Sequence, residues 1–376
     1  MTMTNNKEKK VLNVPNLRFP EFTDKWEAGK LEEYILLVSG QDLSSEQYTD
    51  KEDVYPYITG ASSLNSEGII LNRWTHTPTQ IVKRGDILLV CKGSGVGQLT
   101  VLSNVDKAHI ARQIMGIRAK NTESQLFIYH YLSRLMTELK KRSTGIIPGI
   151  DRKSILSLHI SIPSLQEQQK VAELLSLIEQ RIITQNKIIE KLQSLIKGLR
   201  VCCMQRVYGN NVYLSEIAQI YQPQTISSTE LTEDGFLVYG ANGIIGKYKD
   251  YNHETEQICI TCRGNTCGMV NYTKPMSWIT GNAMVINTDK YQDKVCKRYL
   301  YHYLSAYNFN SIISGSGQPQ IVRTPLEKLK ITLPTISEQK QKAIIFDKIQ
   351  DKIDINHKVL NLYIGQKQYL LRQMFI

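Results

Sequence analysis

The 376-residue sequence predicts an α+β fold in which two similar mixed α/β domains are joined by two long helices that form an antiparallel coiled coil. Three observations support this prediction. The second half of the chain repeats the first, each half contains a strand-like run followed directly by a helical segment, and both helical segments have an apolar seven-residue pattern.

The internal repeat relates the two halves at a shift of 171 residues. Between Ser143 and Ala172, ten positions are identical to those 171 residues later without a gap, whereas average composition gives about two by chance. The same shift aligns residues 87–93 with 258–264. Further upstream, Gly60 aligns with Gly240 only at a shift of 180, so the loops differ in length. A repeat this long indicates a duplicated domain rather than a solenoid.

Each half ends in a strand-like run, a proline and a long helical segment. The runs are 159–163 and 330–334, after which Ser164 or Thr335 is followed three residues later by Glu167 or Glu338. This is the spacing of a helix capping box. We therefore expect a first domain at 1–163, a central helix at 164–206, a second domain at 207–334 and a C-terminal helix at 335–376.

The two helical segments have the heptad pattern of a coiled coil. Their a and d residues are Leu175, Ile178, Ile182, Gln185, Ile189, Leu192, Ile196 and Leu199, and Phe346, Ile349, Ile353, Asn356, Leu360, Tyr363, Lys367 and Leu370. The carboxamides Gln185 and Asn356 interrupt both seams at the same register, so they are the predicted determinants of register. The alternative is two amphipathic helices packed on separate cores.

Composition indicates a polyanionic partner and a reducing compartment. The formal net charge is +11, and the seven cysteines show no disulfide spacing. Excess Lys and Arg favour nucleic acid because binding releases counterions. The N-terminal residues are polar and no apolar run is long enough for a membrane span, so we expect a cytoplasmic location without membrane contact.

Catalytic and metal-binding motifs are weak in the sequence. No two of the eleven prolines are adjacent, so the Asn/Asp-Pro-Pro-aromatic element of adenine methyltransferases is absent. The glycine-rich residues 92–97 precede a strand-like run instead of a helix, which predicts a tight hairpin rather than a nucleotide loop. Cys259 and Cys262 lie three apart in a strand-like run and point to opposite faces, so no metal site is expected.

Taken together, the order of these elements resembles the specificity subunit of type I restriction–modification systems over essentially the whole chain. The resemblance rests on the opening residues 17–22 (LRFPEF) with Trp26, the junctions 163–168 (PSLQEQ) and 334–339 (PTISEQ), and the ending 370–375 (LLRQMF). It implies two target-recognition domains that each read one part of a bipartite, asymmetric DNA target through the major groove.

The resemblance also implies partners. The helices would set the distance between the two domains and dock two modification subunits, which methylate adenine. Restriction subunits that translocate and cut DNA can join the complex. S-adenosylmethionine, ATP and Mg would belong to those partners, so this chain is expected to be non-catalytic and to hold no cofactor of its own.

Three repeated loops carry the side chains expected to contact double-stranded DNA. Glycine allows close approach to phosphates, hydroxyls bind them, and Arg, Asn and Gln can read base edges. The candidates are Lys92, Ser94, Arg263 and Asn265 in the first loop; Arg112, Gln113 and Asn282 in the second; and Arg142, Ser143, Thr144, Ser314, Ser316 and Gln318 in the third. Arg152 and Arg323, which follow the third loop, are predicted phosphate clamps.

Two other interpretations of the sequence stay open. The chain could be a nuclease or methyltransferase with unrecognised motifs, and unaided methylation or cleavage of DNA would favour that interpretation. It could also be a structural coiled-coil adaptor whose basic charge is incidental. Lack of any DNA affinity, even with a partner present, would favour the adaptor.

Overall fold

The computed structural model describes residues 13–65, 67–142, 149–205, 207–241, 243–315 and 317–376, with the side chains of 138–142 and 205 outside that description. The chain divides into two compact units. Unit 1 comprises Met1–Asn186 and Val359–Ile376, and unit 2 comprises Lys187–Lys358. Each unit therefore contains one mixed domain and a part of both long helices.

The described residues of unit 1 up to Asn186 form short strands and helices. The strands are β1 (Glu27–Lys30), β2 (Ile35–Ser39), β3 (Tyr55–Ile58), β4 (Leu64–Asn65), β5 (Gly68–Ile69), β6 (Trp74–Thr75), β7 (Ile81–Lys83), β8 (Ile87–Val90), β9 (Leu99–Val101), β10 (Lys107–Ile110), β11 (Ile114–Ala119) and β12 (His159–Ile162). The helices are α1 (Leu31–Tyr34), α2 (Gln125–Arg142), α3 (Arg152–Leu156) and α4 (Leu165–Gln205), the last of which continues into unit 2.

The central sheet of unit 1 has the order β2-β11-β8-β9, and a second sheet has the order β6-β3-β10-β7. Strand β8 is completely buried because both of its faces are covered. Ile87 and Leu89 belong to one core cluster, whereas Leu88 and Val90 belong to another. Alternate side chains of a strand point to opposite faces, so the apolar run at 87–90 separates two cores.

Unit 2 repeats this plan with fewer strands. Its strands are β13 (Asn210–Tyr213), β14 (Gln219–Tyr221), β15 (Phe236–Gly240), β16 (Gly243–Tyr248), β17 (Ile258–Thr261), β18 (Val270–Tyr272), β19 (Trp278–Ile279), β20 (Ala283–Asn287) and β21 (Lys330–Leu333). Its helices are α5 (Lys297–Ala306), α6 (Arg323–Glu327) and α7 (Ile336–Gln373), the last of which continues into unit 1.

The two units share their topology. The sheet β14-β20-β17-β18 matches β2-β11-β8-β9, and the antiparallel pair β13–β21 matches β1–β12. Strand β17 also separates two cores, since Ile258 and Ile260 belong to one cluster and Cys259 to another. The predicted duplication of a mixed α/β domain is confirmed.

A buried glutamine joins each long helix to its domain. Gln168 accepts the backbone N–H of Ser124 at 2.9 Å and donates to the carbonyl of Pro163 at 3.0 Å. The repeated Gln339 accepts from Cys296 N–H at 2.8 Å and donates to Pro334 at 2.9 Å. The glutamine of the repeated Glu-Gln pair thus satisfies backbone groups that would otherwise be buried without partners.

The long helices pair antiparallel within unit 1. Nζ of Lys367 lies 2.6 Å from Oε1 of Glu179, and the guanidinium of Arg181 lies 5.8 Å from the centre of the Tyr363 ring. Later residues of α4 therefore meet earlier residues of α7. Just beyond the end of α7, Phe375 packs in a core that also contains Trp26, Phe127 and Tyr131.

Within unit 2 the helices are also antiparallel. Nζ of Lys342 in α7 donates to the carbonyl of Cys203 in α4 at 3.3 Å. Earlier in α4, Arg200 donates to Nδ1 of His302 at 3.1 Å, and Nε2 of this histidine lies 2.8 Å from Oδ1 of Asp347 in α7.

Burial along α4 and α7 follows the heptad pattern. The helices have 41 and 38 residues. The predicted a and d positions are buried or half-buried along both helices, including Gln185 and Asn356, whereas most other positions are exposed. The α+β fold with two similar domains and an antiparallel pair of long helices is confirmed.

Candidate nucleic-acid interface

The first predicted contact loop is a tight hairpin in both units, between β8 and β9 and between β17 and β18. The repeat conserves only two glycines of this loop, and they are those with positive φ. Gly93 and Gly97 have φ of 84° and 79°, and Gly264 and Gly268 have 83° and 90°. Other residues are strained in this region, so the turn geometry explains which glycines both halves keep.

The hairpins present polar side chains to solvent. Lys92 and Ser94 are exposed in unit 1, and Arg263 and Asn265 are exposed in unit 2. The turns thus have the same backbone conformation but carry different hydrogen-bonding groups.

In unit 1, Cys91 joins the first predicted contact loop to the second loop and to the segment that follows the third. Its backbone N–H donates to the carbonyl of Gln113 in the second loop at 2.8 Å. Its carbonyl accepts the N–H of Ile150, just after the third loop, at 2.8 Å. Cys91 directly follows β8 and precedes the hairpin, so one residue joins all three segments.

Cys262 plays the same part in unit 2. Its N–H donates to the carbonyl of Asn282 at 3.0 Å, and its carbonyl accepts the N–H of Ile321 at 3.0 Å. Burial raises the pKa of the Cys262 thiol, as it does for Cys91. Both cysteines are buried in the cores, and their backbone atoms form a duplicated frame for the loop segments around them.

The second loop also carries different side chains in the two units. Arg112 and Gln113 are exposed between β10 and β11, and Asn282 is exposed before β20. The side chain of Gln113 reaches close to Gly60, where a Cβ would lie 2.6 Å from its Oε1.

The third loop is described in part. Ser314 and Gln318 are exposed, and Ser314 exchanges backbone hydrogen bonds of 2.9 and 2.8 Å with Gln320. The side chain of Arg142, and the residues Ser143, Thr144 and Ser316, lie outside the described residues.

The two predicted phosphate clamps have different partners. Nη1 of Arg152 donates to the carbonyl of Leu37 at 2.8 Å and lies 3.3 Å from Oγ of Ser39. Nε of Arg323 donates to Oε1 of Glu327 at 2.7 Å. The repeated arginines thus lie at matching positions but are held by the central sheet in unit 1 and by their own short helix in unit 2.

Sequence reasoning missed several residues next to these loops. Asp42 forms an ion pair with Arg112 at 2.8 Å, although the two are 70 residues apart. In unit 2, Gln222 and Gln320 line a groove of about 340 Å³ together with Arg263 and Arg323. No spacing in the sequence indicates the Asp42 pair, whereas the alternation of Gln318 and Gln320 could have suggested that both face solvent.

The loop clusters therefore offer cations, amides and hydroxyls, which are the groups that contact phosphates and base edges. Within the described ranges, no group of three or more His, Cys, Asp or Glu residues could hold a metal ion. None of the described helices is long and apolar enough to span a membrane.

Comparison with known proteins gives a family match over most of the chain. The profile of the type I restriction modification DNA specificity domain matches residues 23–194 and again 210–362. The two matched segments correspond to the two halves of the internal repeat.

Curated relatives agree with this match. The chain is 25% identical over 408 aligned positions to the type I restriction enzyme MjaVIII specificity subunit of Methanocaldococcus jannaschii, covering 94% of this chain and 92% of that protein. It is 31% identical over 147 positions to the EcoprrI specificity subunit of Escherichia coli, covering 38% of this chain and 36% of that protein.

Solved structures show the same fold. The S subunit of a type I restriction-modification system from M. genitalium has a TM-score of 0.65 at 18% identity, covering 96% of this chain and 99% of that one. A chain from a structure that concerns complex assembly and conformational transition of the type I R-M system has a TM-score of 0.55 at 15% identity, covering 92% and 96%.

Proposed function

The chain belongs to the family of type I restriction–modification DNA specificity subunits with two target-recognition domains, and we propose that it selects the bipartite DNA sequence at which a modification complex acts. Each domain reads one part of an asymmetric target in the major groove. The observation that carries this proposal is the duplicated frame at Cys91 and Cys262, which in each unit bonds the hairpin to the second loop and to the segment after the third.

The same frame carries different side chains in the two units, as expected of domains that read different bases. Lys92 and Ser94 in unit 1 correspond to Arg263 and Asn265 in unit 2. Where unit 1 has Gln113, unit 2 has Asn282. Side chains at a fixed position can select a base by their donor and acceptor pattern, while backbone and cationic groups fix the register on the phosphates.

The helix pair sets the spacing between the two parts of the target and docks two modification subunits. Exposed apolar side chains on the helices support the docking role. Leu177 and Leu362 in unit 1 are 52% and 72% exposed, and Leu195 and Ile345 in unit 2 are 49% and 56% exposed. Apolar side chains that stay exposed outside the seam of a coiled coil are available for contact with a partner.

The partners supply the chemistry. The modification subunits bind S-adenosylmethionine and methylate adenine, and restriction subunits use ATP and Mg to translocate and cut DNA. By this proposal the chain itself supplies no catalytic residue and binds none of these cofactors, and we expect it in the cytoplasm.

The test is to map methylated adenines in a genome that expresses this chain with a modification subunit. One bipartite motif, absent when either subunit is omitted, is expected. The purified chain alone should show no methylation, cleavage or ATP hydrolysis. Turnover of S-adenosylmethionine by the pure chain would contradict the proposal.

A further inference from the structure

We propose that Asp42 is a positioning residue that aims Arg112 at a guanine in the half of the target read by unit 1. This inference rests on the proposed function and deepens it, because it names a specificity-determining pair and the base it reads. It starts from the ion pair between these two residues, which the sequence did not indicate.

The Asp42 carboxylate holds Arg112 at two points. Oδ1 accepts the backbone N–H of Arg112 at 3.0 Å, and Oδ2 lies 2.8 Å from Nε of its guanidinium. The Arg112 side chain is nevertheless 70% exposed, and that of Asp42 is 45% exposed. A carboxylate that binds both the backbone and the side chain of one arginine restricts that side chain to few rotamers. An exposed arginine without such a partner samples many rotamers.

The segment that carries Asp42 is itself fixed to the sheet. Gly40 N–H donates to the carbonyl of Ile114 at 3.1 Å, and Gln41 N–H donates to that of Ile110 at 2.9 Å. The carbonyl of Gln41 also lies 2.8 Å from Nε2 of the buried His109. Asp42 therefore projects from a backbone that is bonded to both strands flanking the Arg112 turn.

This geometry suits recognition of guanine. A guanidinium has five N–H donors, and Asp42 takes the one on Nε. The terminal nitrogens Nη1 and Nη2 can then donate side by side to O6 and N7 of guanine, which is the commonest specific arginine contact in the major groove. Preorganisation matters because ordering a long side chain on binding costs affinity.

Unit 2 has no equivalent pair. The residue before Asn282 is Gly281, where a Cβ would lie 2.5 Å from Oγ1 of Thr225 and 2.8 Å from the carbonyl of Pro223. A side chain at Gly281, the position that corresponds to Arg112, would require the backbone at Pro223 to shift, so unit 2 has no cation where unit 1 presents an oriented one. Without an arginine at this position, unit 2 cannot select guanine by this contact, so the two domains should differ in the base they read there.

The test uses Asp42→Asn in the full chain with its modification subunit. Asparagine keeps the Oδ1 acceptor for the backbone of Arg112 but cannot accept a bond from Nε through its NH2 group. The matched control is Asp106→Asn, which breaks the exposed 2.9 Å ion pair of Asp106 with Arg84. That pair lies at the opposite end of strands β8 and β9 from the hairpin turn.

Two readouts are combined, the methylated motif and the salt dependence of DNA binding. Asp42→Asn should relax one G·C position in one half of the motif, lowering discrimination there by about fivefold or more. Binding to unrelated DNA should strengthen, and the salt slope should steepen by up to about one unit, because Arg112 becomes available to phosphates. Arg112→Ala should relax the same position without steepening the slope.

The control Asp106→Asn should leave the motif unchanged. Three results would overturn the inference: an unchanged motif and slope in Asp42→Asn, relaxation at an A·T position, or a uniform loss of binding with a lower melting temperature, which is the signature of a structural role. A wild-type complex that methylates no defined sequence would overturn the proposed function as well. Mapping the wild-type motif first therefore distinguishes this failure from a failure of the inference about Asp42.

Discussion

Arg18 and Glu167 form a bidentate ion pair in which Nε and Nη2 of the guanidinium each lie 2.7 Å from a carboxylate oxygen. Glu167 is almost completely buried and also accepts a hydrogen bond from the indole N–H of Trp26 at 3.3 Å. In the repeat, Glu338 is exposed and instead completes a capping box with Thr335. The same glutamate of the repeat thus has two different structural roles.

Removing Arg18 should destabilise unit 1 strongly. In Arg18→Met the carboxylate of Glu167 would be left buried without its cation, at a cost of about 3 kcal/mol or more. Guanidinium unfolding of the full chain measures this loss. Glu338→Gln is the matched control and should cost no more than about 1 kcal/mol, because that cap is exposed. Equal losses in both variants would contradict the assignment.

Acidification should weaken unit 1 through His130. This residue is completely buried, and burial lowers its pKa to about 4. Between the folded pKa and the unfolded pKa, near 6.5, the unfolded chain binds a proton that the folded chain does not. The free energy of unfolding is therefore highest above pH 6.5 and falls as the pH is lowered towards 4. The loss amounts to about 3 kcal/mol over this window.

The measurement is the free energy of unfolding at several pH values between about 7 and 4. His130→Gln should flatten the slope, since glutamine does not titrate but can still bond to Oγ of Ser176, which lies 3.1 Å from Nε2 in the native chain. The same change at the exposed His159 is the control and should keep the slope. A slope unaltered by His130→Gln would exclude this histidine as its source.

Substitutions in the loops of unit 2 should fall into two classes. Arg323→Ala removes a predicted phosphate clamp, so binding should weaken for every sequence and the salt slope should flatten by about one unit. Gln318→Ala removes a predicted base reader, so one position of the motif should relax by about 1–3 kcal/mol. Salt titrations and methylation mapping measure the two effects. An unchanged motif and affinity in Gln318→Ala would remove this residue from the interface.

The helix pair should determine the spacer between the two parts of the target. Removing one heptad from each helix shortens the pair by about 10 Å at 1.5 Å per residue, close to three base pairs. Both deletions are needed to keep the antiparallel seam aligned. Methylation at sites with the original spacing would contradict this prediction.

The register residues make a related prediction. Gln185 is 8% exposed, and Nδ2 of Asn356 donates to the carbonyl of Lys352 at 2.6 Å. Polar seam residues lower stability but penalise slipped registers. Replacing both with leucine should raise the melting temperature and loosen the spacer preference. A lower melting temperature in the double variant would count against a register role.

The architecture could be predicted from the sequence because the two features that define it, the internal repeat and the heptad pattern, both recur at a fixed spacing. The repeat requires only identical residues at a fixed shift of 171, and the heptads require only apolar residues at a fixed spacing, which the burial along α4 and α7 follows. The glycines at 93 and 97 also predicted a hairpin, since tight turns need residues with positive φ and glycine adopts that conformation most readily.

For the candidate interface, the sequence predicted which loops form it but not the contacts that their side chains make. The pair of Asp42 with Arg112 and that of Arg18 with Glu167 join residues far apart in sequence, and the repeat does not conserve either of them. The capping-box spacing at Ser164 and Glu167 was likewise incomplete as a prediction. Glu167 N–H lies 3.4 Å from Oγ of Ser164, but its carboxylate turns to Arg18. Tertiary partners decide such side-chain directions, and spacing alone does not encode them.

The most direct test of the central claim is to replace residues 207–334 with the matching segment of a relative and to map methylated adenines in cells that express the hybrid with the modification subunit. If each domain reads its own part of the target on a shared helical frame, one half of the motif changes while the other half and the spacer stay the same. A change in both halves would show that the domains read the target jointly and would contradict the account.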